Sequence, residues 1–374
     1  MMRTKGRKTL TEQDKQNAFG RRMADILNTG ALNLAMAVGY RIGLFEAMAS
    51  FSVPRSAVAI AEQAGLNARY VREWLGVMFT GGVVELALGE DGIERYLLPP
   101  EHTAFLVKNA GNANLAVYTQ EIPLLTVCAM ELVIRAFQTG EGVPYSVYPR
   151  FQAFMSELAN AKHRQVLLEK FLPSVAEGRL VERLNHGIRV CDLGCGEGVV
   201  MLLMAQAFPR SRFTGIDSDA GAIETAQSGA DALGLKNADT CLKDAATLKD
   251  DVSWRGTFDY IIAFDAIHDQ TRPLEALQSV HHLLADGGMF SMVDIAAHTR
   301  HHDNQGHPMG PFLYTVSLMH CLPVGLVNSG AGFGMMWGRE QATDMLHRAG
   351  FVEVQVLEIP EDPFNLHFFC QKTA

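Results

Sequence analysis

The sequence predicts an α/β chain in two parts: a helical N-terminal domain carrying a small two-stranded element, then a parallel sheet wound with helices on both faces. Three observations predict it. From Ile188 onward the chain alternates strand, loop and helix. Ahead of that point its apolar residues recur almost throughout at helical spacing. With 374 residues, the chain is also longer than one ordinary core supports. The break Gly140-Glu141-Gly142-Val143-Pro144 places the boundary, giving residues 1–142 and 143–374 as the two domains.

Taken in order, residues 12–50 read as helix through Phe19, Met23, Ile26, Leu27, Leu32 and Leu34, with Gly30, Gly39 and Gly43 expected to divide it into short pieces. Ser52 or a near neighbour caps a next helix through Val58 and Ile60, which ends at Gly65. Asn67 caps another through Val71, Trp74, Leu75 and Met78, which ends at Gly81-Gly82. Val83–Leu88 and Ile93–Leu98 then read as strands about the turn Gly89–Gly92. Helix, turn, helix and a two-stranded wing make a winged-helix pattern. In the second half, strands are expected at Ile188–Asp192, Arg212–Asp217, a third region beginning at Cys241, Phe258–Phe264 and Met289–Ile295. Val352–Glu358 and Leu366–Gln371 form a final pair, and residues 296–338 interrupt the rhythm as an insertion.

Charge narrows the partners. The formal net charge is −9, with +1 on residues 1–150 and −10 on the remainder. An acidic main body repels phosphate backbones, so nucleic acid is disfavoured. The six cysteines show neither C-x-x-C pairs nor zinc-site spacing, and they read as reduced thiols in a cytoplasm. After the basic stretch Met1–Leu10 the chain continues Thr11-Glu12-Gln13-Asp14-Lys15, so no secretory leader is expected. No run of 18 apolar residues suggests a membrane span.

The strongest motif is Val190-Cys191-Asp192-Leu193-Gly194-Cys195-Gly196-Glu197-Gly198, an apolar strand entering three alternating glycines ahead of a helix. Glycine there lets the backbone approach a ligand closely. A dinucleotide fingerprint would read G-x-G-x-x-G and hold a pyrophosphate; this loop reads G-x-G-x-G with Asp192 before it, which suits an ammonium group better. Asp217 ends the next strand, where a carboxylate can accept two ribose hydroxyls. Asp244 and the amide of Ala245 follow the third strand and could read adenine.

Together with Asp286-Gly287-Gly288, these residues resemble the class I S-adenosylmethionine-dependent methyltransferases over residues 188–374. The resemblance implies a Rossmann-like seven-stranded sheet with an antiparallel last strand and S-adenosylmethionine as cofactor. Phe264 and Asp265, at the end of the fourth strand, would border the cofactor. His268-Asp269 just beyond is similar to the His-Asp pair of plant-type small-molecule O-methyltransferases, which carry an N-terminal winged-helix domain that dimerises. That likeness implies His268 as general base and a small-molecule acceptor, with oxygen favoured and nitrogen and sulfur open. It also implies a homodimer through the N-terminal domain. Phe154 and Met155 match the place of an acceptor-contacting pair. Tyr314, His320 and Trp337 could shape the same pocket. The histidines of the insertion, from His298 to His320, lack helical metal spacing, so no metal site is expected.

Two other readings compete. A transcription regulator would use the winged helix on DNA, but the helix 67–80 offers only Arg69 and Arg72, with Glu73 and Trp74 beside them. An NAD-dependent oxidoreductase is disfavoured by the glycine spacing.

Overall fold

The computed structural model of the protein describes residues 10–360 and 362–373. The chain divides into two compact units between Pro123 and Leu124, ahead of the expected break at Gly140–Pro144. Residues within and just past that break are tied to the second unit. Val143 N donates to Pro323 O at 2.9 Å, and just past it Tyr148 Oη donates to Met319 O at 2.9 Å.

In the first unit, residues 12–41 form one continuous helix, Glu12–Arg41, opened by a reciprocal cap between Thr11 and Asp14. The expected divisions at Gly30 and Gly39 do not occur, because a mid-helix glycine costs only about 1 kcal/mol and does not stop a helix. Gly39 has a packing reason: the Trp74 ring lies where a Cβ would stand, and Trp74 Nε1 donates to Ala35 O at 2.8 Å. Gly43 does end the run, and Leu44–Ala49 follows. The winged helix is present. Ser56, not Ser52, caps Ala57–Ala64, and Asn67 caps Ala68–Thr80. Strands β1 (Arg55–Ser56), β2 (Glu85–Leu88) and β3 (Glu94–Leu97) pair antiparallel in the order β1-β3-β2. Phe45, Met48, Ile60, Leu75 and Met78 fill its core.

The second unit holds a seven-stranded sheet of β4 (Arg189–Leu193), β5 (Arg212–Asp217), β6 (Ala238–Leu242), β7 (Phe258–Phe264), β8 (Leu284–Ile295), β9 (Val354–Ile359) and β10 (Asp362–Gln371). Their order is β6-β5-β4-β7-β8-β10-β9; β4 to β8 pair parallel and β10 runs antiparallel to both neighbours. The third strand ends at Leu242, where the sequence suggested a beginning. Residues alternate between two buried faces: Ile261, Ala263, Phe290 and Met292 pack into one apolar cluster, and Tyr260, Ile262, Met289 and Val293 into the other. The insertion carries Gly310–Val316, a π-helical turn Ser317–Cys321 and Leu322–Gly325.

One stretch among the described residues, Ala116–Thr139, has the length and hydropathy of a membrane span. Along it Leu125, Ala129 and Val133 are buried, while Val127, Met130, Ile134 and Phe137 are exposed.

Candidate functional site

The site forms along the carboxyl ends of β4, β5, β7 and β8, where a doubly wound sheet opens a crevice. The glycine loop leaves β4 and folds back on β5. Gly194 N and Cys195 N donate to Ile216 O at 2.8 and 3.2 Å, and Gly196 N donates to Asp217 Oδ2 at 2.9 Å. Three loop amides are therefore already bonded and cannot cradle a pyrophosphate, which argues against a dinucleotide. Gly196 adopts φ +51° with no atom within 4 Å of a Cβ position, so the loop leaves open space beside it. Asp217 also accepts Asp219 N at 2.9 Å through Oδ1. Each carboxylate oxygen keeps a second lone pair for a hydroxyl. An open loop without spare amides, next to a fixed carboxylate, fits S-adenosylmethionine.

The other cofactor candidates divide. Asp192 is buried, and its Oδ2 accepts Met201 N at 3.2 Å in the first turn of the following helix. Burial raises its carboxyl to about 7 against the opposing pull of that amide, with the charge of Asp217 adding to the rise. One of its oxygens thus braces the start of that helix. Asp244 is exposed, accepts Ala246 N at 2.9 Å and pairs with Arg272 at 2.6 Å, so an adenine amino group would share it with a cation. Ala245 is buried in the apolar cluster. Phe264 packs on His163 and Phe171, with ring centroids 4.5 and 5.3 Å away. Asp265 sits at φ +47°, a left-handed conformation that a non-glycine residue holds at a cost and that clusters at functional sites. Its side chain keeps solvent contact, yet the surrounding protein and then Asp294 push its carboxyl up to about 7.

His268 is 4 % exposed, and its Nδ1 lies 2.8 Å from Asp294 Oδ1. Asp294 is fully buried at the end of β8, beside the Phe264–Val293 register pair. Asp269 Oδ1 stands 3.3 Å from His268 Nε2. Burial works against a charged ring, but the charges of Asp294 and Asp269 prevail and hold His268 well above the ordinary histidine value. The ring is therefore oriented on one side by a buried acid and is a stronger base than a free imidazole.

The insertion supplies His320, whose ring packs against Tyr148 and Phe151 at 4.8 Å each and against Tyr145 at 5.7 Å. Its Nδ1 is 3.9 Å from Asp269 Oδ2, so the structure does bring it to the His268 cluster. Phe154 joins through Phe151, 6.5 Å between centroids, and Met155 is half-buried on the same helix, Pro149–Val166. Two other candidates have different surroundings. Trp337 is 2 % exposed and stacks on Phe333 within the sheet's apolar core. Tyr314 Oη accepts from Asn304 Nδ2 at 3.0 Å and its ring meets His301, which fastens the insertion loop. Asp294, Cys321 and Tyr145 were not picked out from sequence. Asp294 ends its strand as Asp217 ends another, and that pattern could have revealed it.

Residues 184–350 match the methyltransferase domain family model, and residues 30–108 match the Rv2258c-like winged HTH domain. No curated protein matches the chain by sequence. Among solved structures, human N-acetylserotonin methyltransferase in complex with S-adenosylmethionine is similar at 15 % identity and TM-score 0.66, covering 99 % of this chain and 100 % of its own. The mitomycin 7-O-methyltransferase is similar at 18 % and 0.65, with 96 % and 99 % covered. An O-methyltransferase family protein from Burkholderia thailandensis is similar at 11 % and 0.63, with 98 % and 99 % covered. The glycine loop, the sheet order with its reversed last strand, and these matches agree: residues 184–350 carry a methyltransferase domain, and a winged HTH domain precedes it over residues 30–108.

Proposed function

We propose that this enzyme methylates a hydroxyl of a small organic acceptor, with His268 as general base and Asp294 as the acid that orients it. The observation that carries the reading is the 2.8 Å contact between His268 Nδ1 and the fully buried Asp294 at the crevice edge of the sheet. Neighbours of the same fold are named for N-acetylserotonin and for mitomycin 7-O-methylation, which suits a small acceptor. When bound, S-adenosylmethionine supplies a methyl group on a positively charged sulfur. His268 Nε2 would take the acceptor's hydroxyl proton while the pocket holds that oxygen in line with the transferable methyl group. Asp294 holds Nδ1–H and stabilises the imidazolium that results. Asp217 would hold the ribose, and the open space beside Gly196 would admit the cofactor. Phe154, Met155 and His320 are the side chains we place around the acceptor.

The test is a screen of hydroxyl acceptors with labelled cofactor. His268→Ala is expected to lower transfer roughly 10²–10⁴-fold with cofactor affinity unchanged; full turnover in that variant would remove His268 from the chemistry.

We further propose a cytoplasmic homodimer. Phe19, Met23, Ile26 and Leu27 on Glu12–Arg41 are exposed, and so are Val127, Met130, Ile134 and Phe137 on the apolar stretch Ala116–Thr139. A helix with one apolar stripe buried and a second exposed is read here as an interface element rather than a membrane span.

A further inference from the structure

We propose that the acceptor carries a protonated amine besides its hydroxyl, and that Asp265 is the residue that selects it. Asp265 follows β7 directly, three residues ahead of His268. Its backbone is fixed: the amide donates to Val293 O at 2.9 Å, and φ is +47°. Its side chain is exposed, and its carboxylate makes no hydrogen bond or ion pair among the described residues. A strained backbone thus presents an unpaired carboxylate at the carboxyl end of a central strand, where the sheet opens its crevice.

The charges that reach this carboxylate are those of Asp294, Lys162, His268 and Asp362. Asp294 and His268 are the proton-transfer pair. Lys162 stands two turns beyond Phe154 and Met155 on the helix Pro149–Val166. Asp217 is not among these charges, and the residue that packs on the glycine loop is Ala266, whose Cβ meets the place a Cβ on Gly194 would take. The sequence put Asp265 beside the cofactor; its neighbours assign the side chain to the acceptor.

The sign of the missing partner follows from the charges present. Lys162 is already paired with Asp362, which is 6 % exposed and also accepts Asn365 Nδ2 at 2.9 Å. This part of the crevice therefore holds four carboxylates, Asp265, Asp269, Asp294 and Asp362, against Lys162 and the His268 ring. Such a balance attracts an ammonium group and repels an acidic acceptor. With no counter-charge of its own, the Asp265 carboxyl is pushed up to about 7 by the surrounding protein and then by Asp294. A bound cation restores its ionised form. The proposal rests on the reading that this crevice receives a hydroxyl acceptor, and it names the class of that acceptor: a hydroxylated amine.

The experiment uses matched phenols that differ in one side group, an amine, a neutral alcohol or a carboxylate (tyramine, tyrosol and para-hydroxyphenylacetate form one set), on several ring skeletons. Binding to the full-length protein saturated with S-adenosylhomocysteine is read by calorimetry, and kcat/KM with labelled cofactor. The amine of a set should bind roughly 10–100-fold more tightly than its neutral counterpart, and the carboxylate least well. Asp265→Asn keeps the shape and suits the left-handed backbone. It should remove that preference by the same factor and leave S-adenosylmethionine affinity unchanged. The proposal is overturned if no amine outranks its neutral counterpart, or if the preference survives in Asp265→Asn. It is also overturned if that variant loses cofactor affinity, which would place the carboxylate against the cofactor's own positive charge. The wild-type comparison decides the matter even if circular dichroism shows the variant unfolded. In His268→Ala the preference in binding should persist while transfer falls, so failure of the base and failure of the amine site are told apart.

Discussion

Replacing Asp294 by Asn keeps the shape of the side chain and removes its charge. Asp294 is fully buried and accepts from both His268 Nδ1 and Ile295 N at 2.8 Å. A buried hydrogen bond to a charged partner contributes about 1.5–3 kcal/mol, and 1.36 kcal/mol corresponds to one pH unit, so losing the charge should lower the proton affinity of His268 by about one to two pH units. The sign follows from the geometry. His268 is held above the ordinary value, so in the native enzyme it carries a proton at low pH and becomes a free base only as pH rises past that raised value. The acid limb of the pH–rate profile should therefore lie above about 6.5 in the native enzyme and move down in Asp294→Asn, while the plateau rate falls by roughly 10²–10⁴ through loss of orientation and of imidazolium stabilisation. The assay is initial transfer rate from labelled cofactor across pH, with cofactor affinity followed by calorimetry. An acid limb that stays in place with an undiminished plateau would refute the coupling between the two residues.

Asp217→Ala should weaken S-adenosylmethionine by on the order of 2–3 kcal/mol in calorimetry, because the same carboxylate fixes Gly196 and is positioned for the ribose. Gly39→Ala should lower the denaturation midpoint, at a cost of about 1–3 kcal/mol, since the new methyl group meets the Trp74 ring; an unchanged unfolding curve would show that the ring simply shifts. Light scattering should find two chains per particle, and Val127→Asp with Phe137→Asp should shift that value toward one.

Most of the fold was legible because its signals are local. The apolar run Phe258–Phe264, the Asn67 cap and the strand-to-glycine passage at Asp192–Gly198 each act within a few residues. The helix Glu12–Arg41 was misread since a glycine's effect depends on what packs against it, and Trp74 is 35 positions away. The start of β6 was missed because its apolar residues are sparse at a sheet edge, where only one strand neighbour constrains them. For the site, His268 and Asp217 follow from strand ends. Asp192 also follows from a strand end, and one of its oxygens braces the following helix. Asp294 stands at a strand end as Asp217 does, but its pairing with His268, and the nearness of Cys321, become visible only when β7, β8 and the insertion are brought together.

The base and the acid that orients it stand at the ends of two adjacent, register-locked strands, whereas His320 and Cys321 come from the segment inserted after β8. On the proposed function, proton transfer and acceptor contact are thus carried on different parts of the chain. The helical part of the inserted segment, residues 310–325, can be exchanged or lengthened without altering the β7–β8 pairing, provided Phe333 and Trp337 are kept in the sheet's apolar core. Grafting that segment from a relative with a different acceptor is accordingly a direct route to altered acceptor range with the proton-transfer apparatus left whole.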